Sequence, residues 1–199
     1  MHVYLETERL NLRRFTPADV DLLVELDSDP EVMRYLTAGL PTPRAAIEHD
    51  ILPAWLRHYE HGDGFGFWAA IETDGGAFVG WFHFRPTEEA GEVELGYRLR
   101  RASWGRGYAT EGSRALIDKG FRELDVQRVV ASTYVDNRGS RRVMEKLGMT
   151  FVRAFRMTPE EIAEGGIYDI ATMAAAFPGD DVEYALDRAD WERQQALPL

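Results

Sequence analysis

At 199 residues with 45% apolar content, the chain has the length for one globular domain with a full core, or one domain with a modest insertion. No apolar run approaches the roughly 18 to 20 residues that span a bilayer, and the start lacks a basic segment followed by an apolar one, so a cytoplasmic protein with no membrane association is expected. Zero cysteines exclude disulfides, thiolate nucleophiles and cysteine-ligated zinc; the five histidines (His2, His49, His58, His61, His83) lack HExxH spacing, so no metal is expected; and the net charge of −11 argues against nucleic-acid binding.

In chain order, residues 9–15 alternate polar and apolar positions over most of their length, which predicts a half-buried strand. Thr16-Pro17 supplies an N-cap and a proline at the first helical position for a helix with Val20, Leu23 and Val24 on one face, and Asp29-Pro30 ends it. Ile47, Ile51, Trp55 and Tyr59 recur every four residues and predict a helix over 42–61 that Pro53 kinks or splits. Residues 65–72 and 78–84 read as strands joined by a hairpin turn at Thr73-Asp74-Gly75-Gly76, and Glu92–Leu99 makes a third member of that antiparallel set.

From there the period lengthens. Ala109, Gly112, Leu116, Gly120 and Leu124 lie on one face of a helix over 108–124, a glycine-dotted face suited to close packing on a sheet. Residues 128–135 are β-branched and apolar, as in a buried strand. Asp136 or Asn137 caps a shorter helix over 138–147 that Gly148 closes, and residues 150–155 and 182–186 are the last strands. No repeat or low-complexity linker divides the chain, so residues 1–199 read as a single domain.

Residues 94–109 form a strand that ends in a glycine-bearing loop and runs directly into a helix. Gly105 and Gly107 let the backbone bend sharply and present its amides to an anion, and the first N–H groups of the helix stand unpaired at the positive end of its dipole. Such a loop can also be a plain connector, and spacing alone leaves both readings open. Gly105-Arg106-Gly107-Tyr108 lacks the Gly-Lys-Ser/Thr of a triphosphate loop. A dinucleotide fingerprint would need a glycine where Thr110 stands, and would open a parallel sheet. Charge singles out the same region: residues 98–156 hold 14 of the 23 basic residues against six acidic ones. A polyanion would be drawn there, whereas solvated helix faces are the plainer explanation for any one arginine.

Three segments resemble the GNAT acyltransferase superfamily: Glu94-Leu-Gly-Tyr-Arg-Leu, Trp104-Gly-Arg-Gly-Tyr-Ala-Thr-Glu and Asp136-Asn-Arg-Gly-Ser-Arg-Arg-Val-Met-Glu-Lys-Leu-Gly-Met. With the opening Glu6-Thr-Glu-Arg-Leu-Asn-Leu-Arg they are similar to the branch of ribosomal-protein N-terminal acetyltransferases (RimJ and RimL type). The resemblance covers residues 5–156 and resumes at 182–191. It implies acetyl-coenzyme A as donor and a primary amine as acceptor, joined in one ternary complex. It also implies that the amides of Gly105, Arg106, Gly107, Tyr108, Ala109 and Thr110 hold the phosphates, with Trp104 standing where the family motif has Gln or Arg. The pantetheine arm would lie along Tyr97 to Leu99 like an added strand.

Acetyl transfer to an amine needs a proton acceptor, a polarised carbonyl and a proton for the leaving thiolate. Glu94, and after it Glu92, lie on the strand beside the expected thioester and are the base candidates; a strand amide near Arg98 or Leu99, freed by a bulge, is the expected oxyanion donor. Ser140 shares a helix face with Val143, Met144 and Leu147, so it points inward. It could simply bond the helix end. The resemblance implies instead that Ser140 protonates the thiolate and that Asn137 contacts the coenzyme, although Asn137 also suits a plain N-cap. Arg141 and Arg142 are expected to project outward.

Residues 158–181 are longer than the usual connection at that place and are expected to be an insertion or lid. Residues 158–199 carry ten acidic and two basic residues, which suggests a cationic acceptor. The expected fold is α+β, a mixed, mainly antiparallel sheet of about seven strands flanked by about four helices. The expected activity is N-acetylation of a protein N-terminus or a small amine, by a monomer or homodimer. An aminoglycoside or polyamine acetyltransferase and a non-catalytic acyl-CoA-binding module are the alternatives.

Overall fold

Two-residue alternation places successive side chains of a strand on opposite faces of its sheet, and here both faces of the central strands are covered. In a computed structural model that describes residues 2–61, 64–156 and 179–196, eight strands form one sheet: β1 (Val3–Glu6), β2 (Leu10–Arg14), β3 (Gly66–Glu72), β4 (Phe78–Pro86), β5 (Glu92–Leu99), β6 (Arg128–Tyr134), β7 (Thr150–Phe155) and β8 (Asp181–Asp187). Their order is β1-β2-β3-β4-β5-β6-β8-β7, and every neighbouring pair is antiparallel except β5 with β6. The helices are α1 (Val20–Asp27), a one-turn α2 (Arg44–Ala46), α3 (Leu52–His58), α4 (Tyr108–Glu123), α5 (Arg138–Lys146) and α6 (Arg188–Ala196). The α+β expectation holds, with eight strands in place of about seven.

Two buried clusters divide along the two faces. Trp68, Ala70, Phe82, Phe84, Val93 and Leu95 pack with residues of α4, α5 and α6. Phe67, Ala69, Trp81 and Phe15 pack with Leu23, Leu26, Ile47 and Leu52 from the α1–α3 side. The parallel β5–β6 pair needs a crossover, and α4 supplies it. Its glycines let it lie close to the sheet: a Cβ added at Gly112 would stand 2.5 Å from the Phe82 ring, and one at Gly120 2.6 Å from Phe84.

The helix expected over 42–61 is broken differently from the forecast. A π turn at Ile47–Ile51 joins α2 to α3, and Pro53 falls in the first turn of α3, where its missing N–H leaves no carbonyl unpaired within that helix. Strand β1 and helix α6 were not foreseen. β1 is four residues long and is held by Tyr4 stacked on Trp68 at 4.3 Å. α6 has one large apolar residue, Trp191, whose indole donates to Asp118 at 2.7 Å and packs against Phe121. The insertion expected at 158–181 falls largely on 158–178, outside the described residues.

Candidate active site

β5 keeps its antiparallel partner throughout, in seven pairs from Gly80 with Leu99 to Pro86 with Val93. Its parallel partner leaves early. After Glu92 with Arg128, Val93 with Val129 and Glu94 with Val130, no further β5–β6 pair forms, while β6 stays with β8 as far as Tyr134 with Asp181. The sheet therefore opens into a wedge beyond Glu94. Arg100 N–H donates to Val79 O at 2.9 Å, and antiparallel alternation then turns the amides of Arg98, Gly96 and Glu94 toward β4 and those of Leu95, Tyr97 and Leu99 toward the wedge. Of the two expected oxyanion donors, Leu99 faces the gap and Arg98 does not. The Leu99 carbonyl is already taken by Trp104 Nε1–H at 2.8 Å, which gives that tryptophan a role at the mouth of the wedge.

The glycine loop lies where β5 ends. Gly105 and Gly107 both adopt left-handed φ, +71° and +87°, and nothing stands within 4 Å of a Cβ built on Gly105. The first backbone bond of α4 runs from Glu111 N–H to Gly107 O at 3.0 Å, so the N–H groups of Gly105, Arg106, Gly107, Tyr108, Ala109 and Thr110 take no backbone carbonyl among the described residues. An array of unpaired amides at a 16-residue helix's N-terminus suits a phosphate. Side chains brace the loop from behind. Glu111 accepts from Arg9 Nε at 2.7 Å and from Thr7 Oγ1 at 2.6 Å, and Arg9 Nη1 donates to the Arg106 carbonyl at 2.9 Å. The guanidinium groups of Arg9 and Arg106 each lie over the Tyr108 ring, at 4.7 and 4.8 Å, and Arg106 pairs with Glu72 at 2.9 Å. The Arg106 side chain is thus directed to β3, leaving its amide as the part available to a ligand.

On the α4–α6 face, Tyr97 reaches across to α5. Its hydroxyl lies 2.9 Å from Ser140 Oγ. Burial pushes the Tyr97 phenol up to about 12, an effect the Ser140 hydrogen bond partly offsets, so the pair is neutral near pH 7 and holds a proton to give. Asn137 caps α5, its Oδ1 accepting from Ser140 N–H at 3.2 Å and its Nδ2 donating to Thr133 Oγ1 at 3.0 Å. Both ends of that side chain serve the fold. Arg141, expected to point outward, instead donates to Tyr184 Oη at 3.2 Å and to the Val135 carbonyl at 3.1 Å, because the short turn before α5 brings that carbonyl within reach.

Glu94 is three residues from Tyr97 and so faces the opposite side, toward α1 and α3. Its carboxylate pairs with Arg85 directly across the ladder and lies 3.6 Å from His83 Nε2. His83 sits over Gly96, where an added Cβ would stand 2.5 Å from the imidazole. Burial, with the nearby charges of Arg85, Arg98 and His58, holds its pKa well below the usual histidine value, so the ring is neutral. Arg98, on the same face, pairs with the buried Asp27 at 2.6 Å, and Asp27 also accepts from Thr42 Oγ1 at 2.6 Å. Glu92 is committed elsewhere, to Thr87 Oγ1 at 3.0 Å and Arg128 Nε at 3.2 Å. Sequence reading reached Glu94 but passed over Trp81, Arg85 and Asp27. The available signal was the period-two set Trp81, His83, Arg85 on β4.

A sheet splayed at one parallel junction, with a loop of unpaired amides at its mouth and hydroxyl and carboxylate side chains on its two faces, is an architecture suited to acyl transfer. The chain belongs to the GNAT acetyltransferase family: a model described as "Acetyltransferase (GNAT) domain" matches residues 9–150. It is similar to the FsC-acetyl coenzyme A-N(2)-transacetylase of Aspergillus fumigatus, with 32% identity across 96% of this chain and 79% of that one. It is also similar to the putative ribosomal N-acetyltransferase YdaF of Bacillus subtilis, with 27% identity across 94% and 96%. A solved GNAT-family acetyltransferase from Bacillus anthracis shares the fold at a TM-score of 0.70 and 24% identity, covering 93% of this chain and 98% of that one. The protein is an acetyltransferase, and the family's cosubstrate is acetyl-coenzyme A.

Proposed function

We propose that this enzyme transfers acetyl from acetyl-coenzyme A to a primary amine in one ternary complex, with the wedge between β5 and β6 as the seat of the thioester. The observation that carries this reading is the coincidence of the early end of β5–β6 pairing with the six unpaired amides of the glycine loop. Those amides hold the phosphates, and the wedge-facing edge of Tyr97 and Leu99 receives the pantetheine arm. Arg138, Arg142 and Lys146, which form no ion pair among the described residues, supply further attraction for the coenzyme from α5.

The two faces of β5 divide the proton work. On the α1–α3 side Glu94, positioned by Arg85, accepts a proton from the incoming ammonium. The neutral amine attacks the thioester carbonyl, and the developing oxyanion takes the Leu99 N–H. Collapse breaks the carbon–sulfur bond, and the thiolate takes its proton from the Ser140–Tyr97 hydroxyl pair on the other face. The ammonium gives up two protons in all, the first through Glu94 before attack and the second from the nitrogen of the tetrahedral intermediate to solvent; one proton from solvent restores the Ser140–Tyr97 pair, so each turnover releases one proton net.

The acceptor in this reading is a protein N-terminus, as in the RimJ and RimL branch, on the strength of the opening motif at residues 6–13 and the ribosomal N-acetyltransferase relative. A small-molecule amine is the second reading, favoured by the 32%-identical N(2)-transacetylase. Coenzyme A thiol release with an amine and peptide panel, with mass measurement of the products, tests both. No thiol release with any acceptor in the panel would favour a non-catalytic binding module. Glu94→Gln should lower turnover most on the acid side of the pH profile, where deprotonating the ammonium limits the rate; a wild-type profile would remove Glu94 as the base.

A further inference from the structure

Six buried side-chain nitrogen or oxygen atoms among the described residues have no hydrogen-bond partner, and four of them lie together: Trp81 Nε1, His83 Nε2, Arg85 Nε and Arg98 Nε. They occupy three consecutive cross-strand pairs on the α1–α3 face, Trp81 with Arg98, His83 with Gly96 and Arg85 with Glu94. A buried unpaired donor costs about 1–3 kcal/mol, so a cluster of them calls for a physical cause. Indole and guanidinium nitrogens donate and never accept. Their complement is an oxygen.

The neighbours fix where that oxygen belongs. Trp81 is 7% exposed, its ring packs edge-on to Trp55 at 5.1 Å and parallel to His83 at 5.8 Å, and Arg98 lies over its face at 5.2 Å. Asp27 holds the Arg98 head by Nη1, which leaves Nε–H directed elsewhere. Strand pitch puts Trp81 about 7 Å from His83 and its facing Gly96, beside the Glu94 carboxylate that draws the ammonium. We propose that Trp81 Nε1–H and Arg98 Nε–H form a subsite for a carbonyl or carboxylate oxygen a few bonds from the acceptor amine. The acceptor class is therefore an α-amino carbonyl compound, such as a peptide N-terminus or an amino-acid amide, and not a polyamine. This rests on the acetyl-transfer reading above.

The test compares alaninamide with propargylamine, an oxygen-free amine of similar basicity, by thiol release. Wild-type enzyme should prefer alaninamide by at least tenfold in kcat/KM, and in Trp81→Phe and Arg98→Lys that ratio should fall toward one; Trp81→Phe keeps a ring, and Arg98→Lys keeps a cation for Asp27. An unchanged ratio in two folded variants, or no preference in the wild type, overturns the subsite. Turnover of neither amine would sink the acetyl-transfer reading alone. Calorimetric binding of the two amines in the presence of coenzyme A then reads the subsite: a preference for alaninamide upholds it, equal binding refutes it. A peptide headed by alanine identifies the source. A higher kcat/KM than alaninamide places the oxygen in a polypeptide, and an equal value places it in a small molecule.

Discussion

The two faces of strands β4 and β5 are built to different rules. Toward α4, Phe82 and Phe84 meet the bare backbone of Gly112 and Gly120, and the contact is apolar and tight. Toward α1 and α3, the intervening residues are Trp81, His83, Arg85, Glu94 and Arg98, with charges paired in part and donors left over. One face spends its residues on cohesion. The other retains donors that take no partner among the described residues.

That contrast can be broken hardest at Arg13, whose guanidinium makes a two-pronged contact with the buried Asp19 on the polar face, at 2.7 and 2.8 Å. Arg13→Met should lower stability by about 3–5 kcal/mol in urea unfolding at pH 7, because it strands a buried carboxylate. Burial alone would raise the Asp19 pKa, but Arg13 and Thr16 overcome it and hold the carboxyl below its usual range. The contribution of Asp19 is therefore full above the unfolded value of about 3.9 and is lost as pH falls through the folded one. The gap between wild type and variant should accordingly narrow below about pH 4.

On the apolar face, Gly112→Val should cost about 1–3 kcal/mol through its clash with Phe82. Trp81→Phe, one strand position from Phe82 and therefore on the polar face, removes ring area and an orphan donor together, so stability should move by less than about 1 kcal/mol. A large loss there would mean that Trp81 is ordinary core. In the loop, Gly107→Val puts a side chain at φ +87° and should weaken acetyl-coenzyme A at least tenfold, about 1.4 kcal/mol, by calorimetry. Amides do not titrate near neutrality, so wild-type affinity should stay level between pH 6 and 8. Ser140→Ala should have the smallest effect, lowering kcat several-fold with little change in coenzyme affinity; equal losses in both would make Ser140 a structural cap.

Much of this was legible in the chain because period and punctuation agree. Glu92–Leu99 and Thr150–Phe155 appear in the structure with the bounds read from the sequence, and the glycines at 112 and 120 announced a helix lying close to a sheet. Helix α6 was not legible, since one tryptophan in nine residues carries no periodic signal and its anchor, Asp118, lies 73 positions away. The same limit hid the acceptor face. Trp81 and Arg98 gain meaning only from a register of pairing, and Asp27 only from a contact 71 residues distant. The basic stretch shows the same limit: sequence counts its charges but not their partners, and Arg98, Arg100, Arg101, Arg106 and Arg128 are each paired with a carboxylate from another segment.

The early end of β5–β6 pairing also has a mechanical meaning. Only three backbone pairs join the strands β1 to β5 to the strands β6, β8 and β7. The apolar cluster on the α4–α6 face runs unbroken across that seam, from Leu10 and Phe82 to Val182 and Tyr184. The cluster on the other face stops at it, where Tyr35 stacks on Tyr134 at 5.9 Å. The two halves of the sheet are thus joined like the leaves of a book, with the α4 side as the spine. Amide hydrogen exchange should therefore resolve two cooperative units, and any ligand that fills the crease would act as a clasp, slowing exchange in both halves at once.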